Sequence, residues 1–364
     1  MAESTAFVDI AATGPGMVAR AFANQADYCR AADAPITARV VAALGALVER
    51  GAPGAVLARV RDWAGPPLAD ALPLRVAAGL HALHLAGAEP ALAPLYRGAP
   101  AEDQAVIAAV LIEHEAAILP WLASPPQTNE AGRSAGFVAA LLWLAGQGLP
   151  ARFELLEIGS SAGINLMLDR YCYDLGEVVV GPEDAAIRLA PEWKGPPPPA
   201  QPIEIASTAG CDIAPVDLTD PAQAMRLRAY VWPEHRERFA RLDAAIEEAR
   251  RAPPDLVQLN AADFVEQQLA RPQADGTTRV LMHSIVWQYL PDEQQARIEQ
   301  AMAVAGAAAT AQRPLAWIAL EANRVIHNHE LAVRYWPGHA APAVLARAHP
   351  HGEWIAWGDA ERPA

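Results

Sequence analysis

Cysteine is scarce in this chain of 364 residues: Cys29, Cys172 and Cys211 are all it has. They are odd in number, widely spaced and form no C-x-x-C pair. Neither a disulfide framework nor a cysteine zinc site is expected, and a reducing cytoplasm suits them best. Long apolar runs are missing as well. The stretch "VAALGALV" (41–48) soon meets charge and proline, too early to cross a bilayer. The opening "MAESTAFVDI" has neither the basic start nor the apolar core of a signal peptide. No membrane partner is expected. Basic clusters are absent, and the formal net charge is −14, which argues against nucleic acid as the main partner. No H-E-x-x-H occurs. His81 and His84 lie three apart on one predicted helix, with Glu113, His114 and Glu115 on another, but scattered helical residues of this kind are ordinarily structural, so no metal is expected. No internal repeat stands out.

What is present points to a sizeable core. Apolar residues make up 52% and charged residues 19%, outside the range of disordered chains. The length suits two domains, or one large α/β domain with an added layer. The 32 prolines and abundant alanine suggest helices divided by rigid connections. Residues 1–150 read as helical, with apolar residues at three- and four-residue spacing near 16–31, 36–49, 68–86, 101–118 and 132–147. "APAEDQAVIAAVLIEHEAAIL" carries acids in its first turn, as the helix dipole favours. No alternating strand pattern occurs there.

The character changes at "GQGLPARFELLEIG". Strands are predicted at "FELLEI", "IEIASTAGCDI", "DLVQLNAADF", "TRVLMHSIVWQYL" and "LAWIAL", the last ending at Glu321. Helices are predicted at about 162–171, from Asp220-Pro221 onward, after "LNAADF" and at "DEQQARIEQAMAVAGAAA". Asp220 suits the cap position and Pro221 the first helical turn, whereas Pro233 should break the helix, since an interior proline costs about 3 kcal/mol. "ELAVRYW" and "AVLARAHPHGEWIAW" read as two closing strands. Such alternation implies a largely parallel, doubly wound sheet over 151–364. A proline-rich insertion near 177–203 has no assignable fold.

The stretch "ELLEIGSSAGINLMLD" (154–169) admits two chemistries. Gly159-Ser160-Ser161-Ala162-Gly163 matches the G-x-S-x-G nucleophile elbow of a serine hydrolase, but no HGGG-like oxyanion loop precedes it. Alternatively, the small residues let a nucleotide-like cofactor lie against the chain. The spacing is not that of the dinucleotide fingerprint, and the loop has no P-loop lysine. With Glu157 beside it, the loop suits a cofactor with a cationic end better than a polyphosphate.

"LLEIGSSAG" resembles the first motif of class I S-adenosylmethionine-dependent methyltransferases, with Ser161 in place of the middle glycine. "GCDIAP", "LNAADF" and "TRVLMHSIVWQYLP" are similar, in order, to the ends of that superfamily's second, third and fourth strands. The proline-rich insertion makes the first spacing longer than usual. The resemblance implies a Rossmann-like, mostly parallel methyltransferase-type sheet behind an all-helical N-terminal domain (1–150), with S-adenosyl-L-methionine as cofactor. It implies Glu157 for the ammonium end, Gly159, Ser161, Gly163 and Asn165 for the loop, Asp212 for the ribose, Asp263 near the adenine and Ser284 at the reacting end. The whole chain also resembles a bacterial family known only as domain of unknown function 2332, through "PPQTNEAGR", "EIGSSAGINLMLDRY", "RAYVWPE", "HSIVWQYLP" and "RAHPHGEW".

His283, at a strand end, is the candidate general base. Tyr289 and Trp287 follow it as candidate pocket residues, and Glu321 could orient a substrate. Gln127, Thr128, Asn129, Glu130 and Arg133 form the densest polar cluster before the sheet and are candidates for substrate binding; Thr128 or Asn129 also suits a helix cap. His349 and His351 straddle Pro350 in a predicted turn. The expected function is methyl transfer to a small molecule. A non-catalytic binder of the same cofactor or of a nucleotide metabolite is the alternative from another class, and a hydrolase using Ser161 is the third.

Overall fold

A computed structural model describes residues 12–14, 16–323 and 328–358; the opening decapeptide lies outside them. The chain divides into two compact units, one running to Thr128 and including Ala224–Phe239, the other comprising Asn129–Gln223 and the residues from Ala240 onward.

The first unit is helical. Its longer helices are Met17–Ala31, Pro35–Glu49, Leu72–Leu85 and Asp103–Glu113, with a shorter one, Ala55–Arg61, that the periodicity did not bring out. Phe22, Leu44, Leu47, Leu57, Leu72, Val76 and Leu80 meet in its core. Ala224–Phe239 joins this core through side chains that no local pattern reveals. Glu234 takes both the amide and the hydroxyl of Thr37, at 2.9 and 2.8 Å, at the start of helix Pro35–Glu49. His81 Nδ1 lies 3.0 Å from Ala229 O, and burial lowers its imidazole to about 4. His81 and His84 both stack on Tyr96, which accounts for this pair by packing. Among the described residues, Glu89, Glu113 and His114 bring ligand-type atoms within 4.8 Å of one another, and Glu89 is bonded to His114 Nε2 and to Ala91 N. No single helix among the described residues is long and apolar enough to cross a membrane.

The second unit is built on strands β1 (Arg152–Ile158), β2 (Cys172–Leu175), β3 (Val178–Val180), β4 (Arg188–Leu189), β5 (Glu192–Lys194), β6 (Glu204–Asp212), β7 (Leu256–Gln258), β8 (Thr278–Ser284), β9 (Leu315–Asn323), β10 (Asn328–Trp336), β11 (Ala343–Ala348) and β12 (Trp354–Trp357). Nine of them form one sheet in the order β5-β12-β11-β10-β9-β8-β1-β6-β7. The run β7-β6-β1-β8-β9 is parallel, and β10 to β12 close it as an antiparallel meander. The turn "HPHG" splits the predicted final strand into β11 and β12. The proline-rich insertion supplies β3 and β4, which flank β2 in a small separate sheet, and β5, which pairs with β12.

Two helical expectations change. The helix Ser134–Gly146, read as part of the N-terminal layer, packs on β9 and β10; its residues 134–142 and Leu144 are buried, which suits a helix covering a sheet. The predicted helix near 162–171 is instead a 3₁₀ segment, Ile164–Arg170, broken at Met167. Its residues 164–168 are all buried, so it has no amphipathic face to set a helix on the surface. Two of its carbonyls are satisfied by tyrosines: Tyr171 OH donates to Ile164 O at 2.8 Å and Tyr173 OH to Leu168 O at 2.7 Å.

Strand order reverses between β1 and β8, so a crevice is expected at the carboxyl ends of these strands. Side chains alternate along each strand. Glu157 pairs with Met282 and His283 with Ala319, which places Glu157 and His283 on opposite faces of the sheet. The His283 face is packed by helices Ala261–Leu269 and Asp292–Ala307, through Phe264, Val265, Ile298 and Met302.

Candidate functional site

The loop after β1 turns on three residues with positive φ: Gly159 at 66°, Ser161 at 54° and Gly163 at 71°. A Cβ on Gly159 would lie 2.3 Å from Val286 Cγ2, and one on Gly163 would lie 2.8 Å from Pro254 Cγ. Glycine is therefore required at both by backbone conformation and by close packing. The amides of residues 160–164 are all engaged. Ser160 N donates to Cys211 O and Gly163 N to Ser160 O. Ser161 N donates to Asp212 Oδ2 at 2.8 Å, and the amides of Ala162 and Ile164 share Asn129 Oδ1 at 3.2 and 3.0 Å. A phosphate cradle needs such amides free; here protein acceptors hold them. A nucleophile elbow needs the amide after the serine as an oxyanion donor and a base within hydrogen-bond reach. The amide after Ser161 is held by Asn129, and Ser161 Oγ is buried with no hydrogen-bond partner among the described residues.

Glu157 lies beneath this loop, 2% exposed. Its Oε1 accepts from Asn165 Nδ2 at 3.2 Å, and Asn165 Oδ1 accepts from Ser134 Oγ at 2.9 Å. Its Oε2 is buried with no partner among the described residues. Burial pushes the Glu157 carboxyl up to about 8, against the hydrogen bond of Asn165 and the positive charge of Arg133, while Ser160 Oγ donates to the Glu157 backbone carbonyl at 3.0 Å. Burial thus works against the charge expected from the sequence and favours the protonated carboxyl. Asp212 ends β6 with both oxygens in use, Oδ2 on Ser161 N and Oδ1 on Ala214 N at 2.9 Å.

The segment 129–133 is brought to the loop. Asn129 caps it, as described. Glu130 is buried and accepts from Gly132 N and from Arg241 Nε at 3.0 Å. Arg133, also buried, donates from Nε to Pro350 O at 2.9 Å. The turn bearing His349 and His351 docks tightly here, since a Cβ on Gly132 would lie 2.5 Å from His351 O. Gln127, half-buried, and Thr128, exposed, end the first of the two segments that make up the first unit.

On the other face, β8 presents His283 near its end; His283 and its neighbour Ser284 are both buried. Ile285 then adopts φ 53°, a costly conformation for a β-branched residue that persists only when its surroundings over-determine it. They do: Glu321 Oε1 takes the amides of Val286 and Trp287 at 3.1 and 3.2 Å. The same oxygen lies 2.6 Å from His283 Nδ1. An oxygen already accepting two amides is an acceptor for the imidazole too, so Nδ1 carries a hydrogen, and in the neutral ring Nε2 is then the acceptor. Nε2 is buried with no partner among the described residues. Glu321 therefore orients His283 and the loop after β8 rather than standing free for a substrate. Trp287 stacks on His283 with centroids 5.2 Å apart and meets Trp317 edge-on at 5.4 Å.

Two expected site residues lie elsewhere. Tyr289 is 72% exposed, because the short 3₁₀ turn Trp287–Tyr289 carries it outward. Asp263 sits in the first turn of helix Ala261–Leu269, capped by Asn260 and paired with Arg297 at 2.7 Å, so its charge is spent on a surface ion pair. Sequence reasoning overlooked Trp317, which the two-residue period of "LAWIAL" places on the face of Glu321, and Arg334, which only the β9–β10 register brings over the Trp317 ring.

A mixed α/β unit with a glycine loop at its strand-order reversal, together with a separate helical unit, is the class this architecture defines. The family described as an uncharacterized protein conserved in bacteria (DUF2332) matches residues 19–357, and the chain belongs to it. A search of curated proteins finds no match.

Proposed function

We propose that this chain is a cytoplasmic S-adenosylmethionine-dependent methyltransferase of class I type, acting on a small molecule. The observation that carries the reading is Glu157: a buried carboxyl directly under the glycine loop, with one oxygen lacking any partner among the described residues. Leaving such an atom unpaired costs about 1–3 kcal/mol, and a cationic ligand would recover that cost. The amides of the loop, occupied by protein acceptors, speak against a phosphate-bearing ligand, and three free buried cysteines suit a reducing compartment.

In this reading Glu157 holds the ammonium end of the cofactor and Asp212, through lone pairs not used by Ser161 and Ala214, the ribose hydroxyls. When bound, S-adenosylmethionine supplies an electrophilic methyl group. The chain's own residues do the rest. His283 Nε2 accepts the proton of the nucleophile, Glu321 fixes the tautomer and the ring, and Trp287 and Trp317 keep water from that nitrogen. Because Glu157 and His283 leave opposite faces, the ligands lie across the carboxyl ends of β1 and β8. Incubation with methyl-labelled S-adenosylmethionine and a panel of bacterial small molecules tests the proposal. Label transferred to one of them, and lost in His283→Gln, is the expected result. Cofactor binding without transfer would make the protein a binder, and no binding would overturn the proposal.

A further inference from the structure

On the His283 face a cavity of about 200 Å³ is lined by His283, Trp287, Glu299, Trp317, Glu321 and Arg334, among others. Two of its ring nitrogens, His283 Nε2 and Trp317 Nε1, are buried with no partner among the described residues, in side chains 2% and 5% exposed. Their chemistry is opposite. His283 Nε2 is an acceptor, by the tautomer that Glu321 imposes, and the Trp317 indole N–H is a donor only. The ring centroids lie 6.0 Å apart, and both residues line the same cavity.

The charges around the cavity are already spent. Arg334 binds Glu299 through two nitrogens, at 2.8 and 3.3 Å, and sits over Trp317, 4.7 Å from the ring centroid. Glu321 is engaged by His283 and two amides. A charged ligand finds no free counter-ion in these groups. The aromatic walls favour a flat one.

We infer that this cavity binds a neutral, planar, conjugated molecule carrying an N–H or O–H next to a carbonyl, as in a lactam or cyclic imide. The N–H donates to His283 Nε2 and the carbonyl accepts from Trp317 Nε1. Trp287, stacked on His283 in the turn after the strained Ile285, shifts to admit it. The inference rests on reading His283 as the proton acceptor of the proposed methyl transfer and names the class of its acceptor substrate.

The test is binding of 2-quinolone, a flat lactam, to the full chain without cofactor, so that it can succeed even if methyl transfer fails. The reporter is the Trp317 indole N–H resonance, identified by its disappearance in Trp317→Phe. Saturable binding that moves this resonance is expected. N-methyl-2-quinolone, which lacks the donor, and quinoline, which lacks the carbonyl, should each bind at least about tenfold more weakly, the scale set by one unmade buried hydrogen bond. Trp317→Phe should weaken 2-quinolone by a similar factor. Equal affinity for the three compounds, or a Trp317 resonance that stays put, overturns the inference, and the wild-type comparison does not depend on any variant folding.

Discussion

Replacing Glu157 by glutamine should change how stability depends on pH. Burial holds the carboxyl's proton to about 8, against an ordinary value of 4.5. Between those values the folded protein keeps a proton that the unfolded chain has released. The folded state binds more protons, so stability falls as pH rises through this window and levels off above it. At about 1.4 kcal/mol per pH unit, the window amounts to roughly 5 kcal/mol as an upper figure, because partial opening toward water would relieve some of it. The substituted amide keeps the shape and the Asn165 contact but does not titrate. Urea unfolding of both proteins at several pH values between about 5 and about 9 isolates this group, since the other titrations cancel in the difference. The wild type should lose at least about 2 kcal/mol relative to Glu157→Gln across the range, most of it before pH about 8. A difference that stays constant to within about 1 kcal/mol would refute the reasoning, as would one that grows in the opposite direction.

Other substitutions test the loop and its supports. Gly159→Ala combines a left-handed φ with a contact no Cβ tolerates, and should cost about 2–4 kcal/mol in thermal or urea unfolding; a neutral result would mean that Val286 yields freely. Asn129→Ala leaves the amides of Ala162 and Ile164 without their acceptor, with an expected loss of about 1–3 kcal/mol and faster hydrogen exchange at those two amides. Arg279→Met removes a buried guanidinium held by Glu154 and three carbonyls, and should destabilise by about 3–5 kcal/mol, measured in the same way.

Much of the second unit was readable along the chain. Strand β1, its small-residue loop and the acid at the end of β6 stand in local sequence, and apolar runs bounded by Gly and Pro mark β8 and β9. What escaped depends on distant partners. The attachment of Ala224–Phe239 to the helical unit rests on Glu234 meeting Thr37, a pairing no periodicity signals. The segment after the loop looked helical because its apolar spacing fits one, but tyrosines at 171 and 173 take its carbonyls and full burial removes the amphipathic face. Asp263 matched a motif by order alone, whereas Arg297 decides where its charge goes. Glu157 was picked out for its charge, whereas burial, which no local pattern reveals, favours its protonated form.

Calorimetric titration of the full chain with S-adenosylmethionine tests whether Glu157 holds the cofactor's ammonium group. Repeating it at neutral pH in two buffers of different ionisation heat counts the protons released. Saturable one-site binding is expected, with a proton given up as Glu157 ionises against the ammonium, and much weaker binding without that proton in Glu157→Gln. Absence of binding, or binding of equal strength with no proton release in wild type and variant, would contradict that role of Glu157.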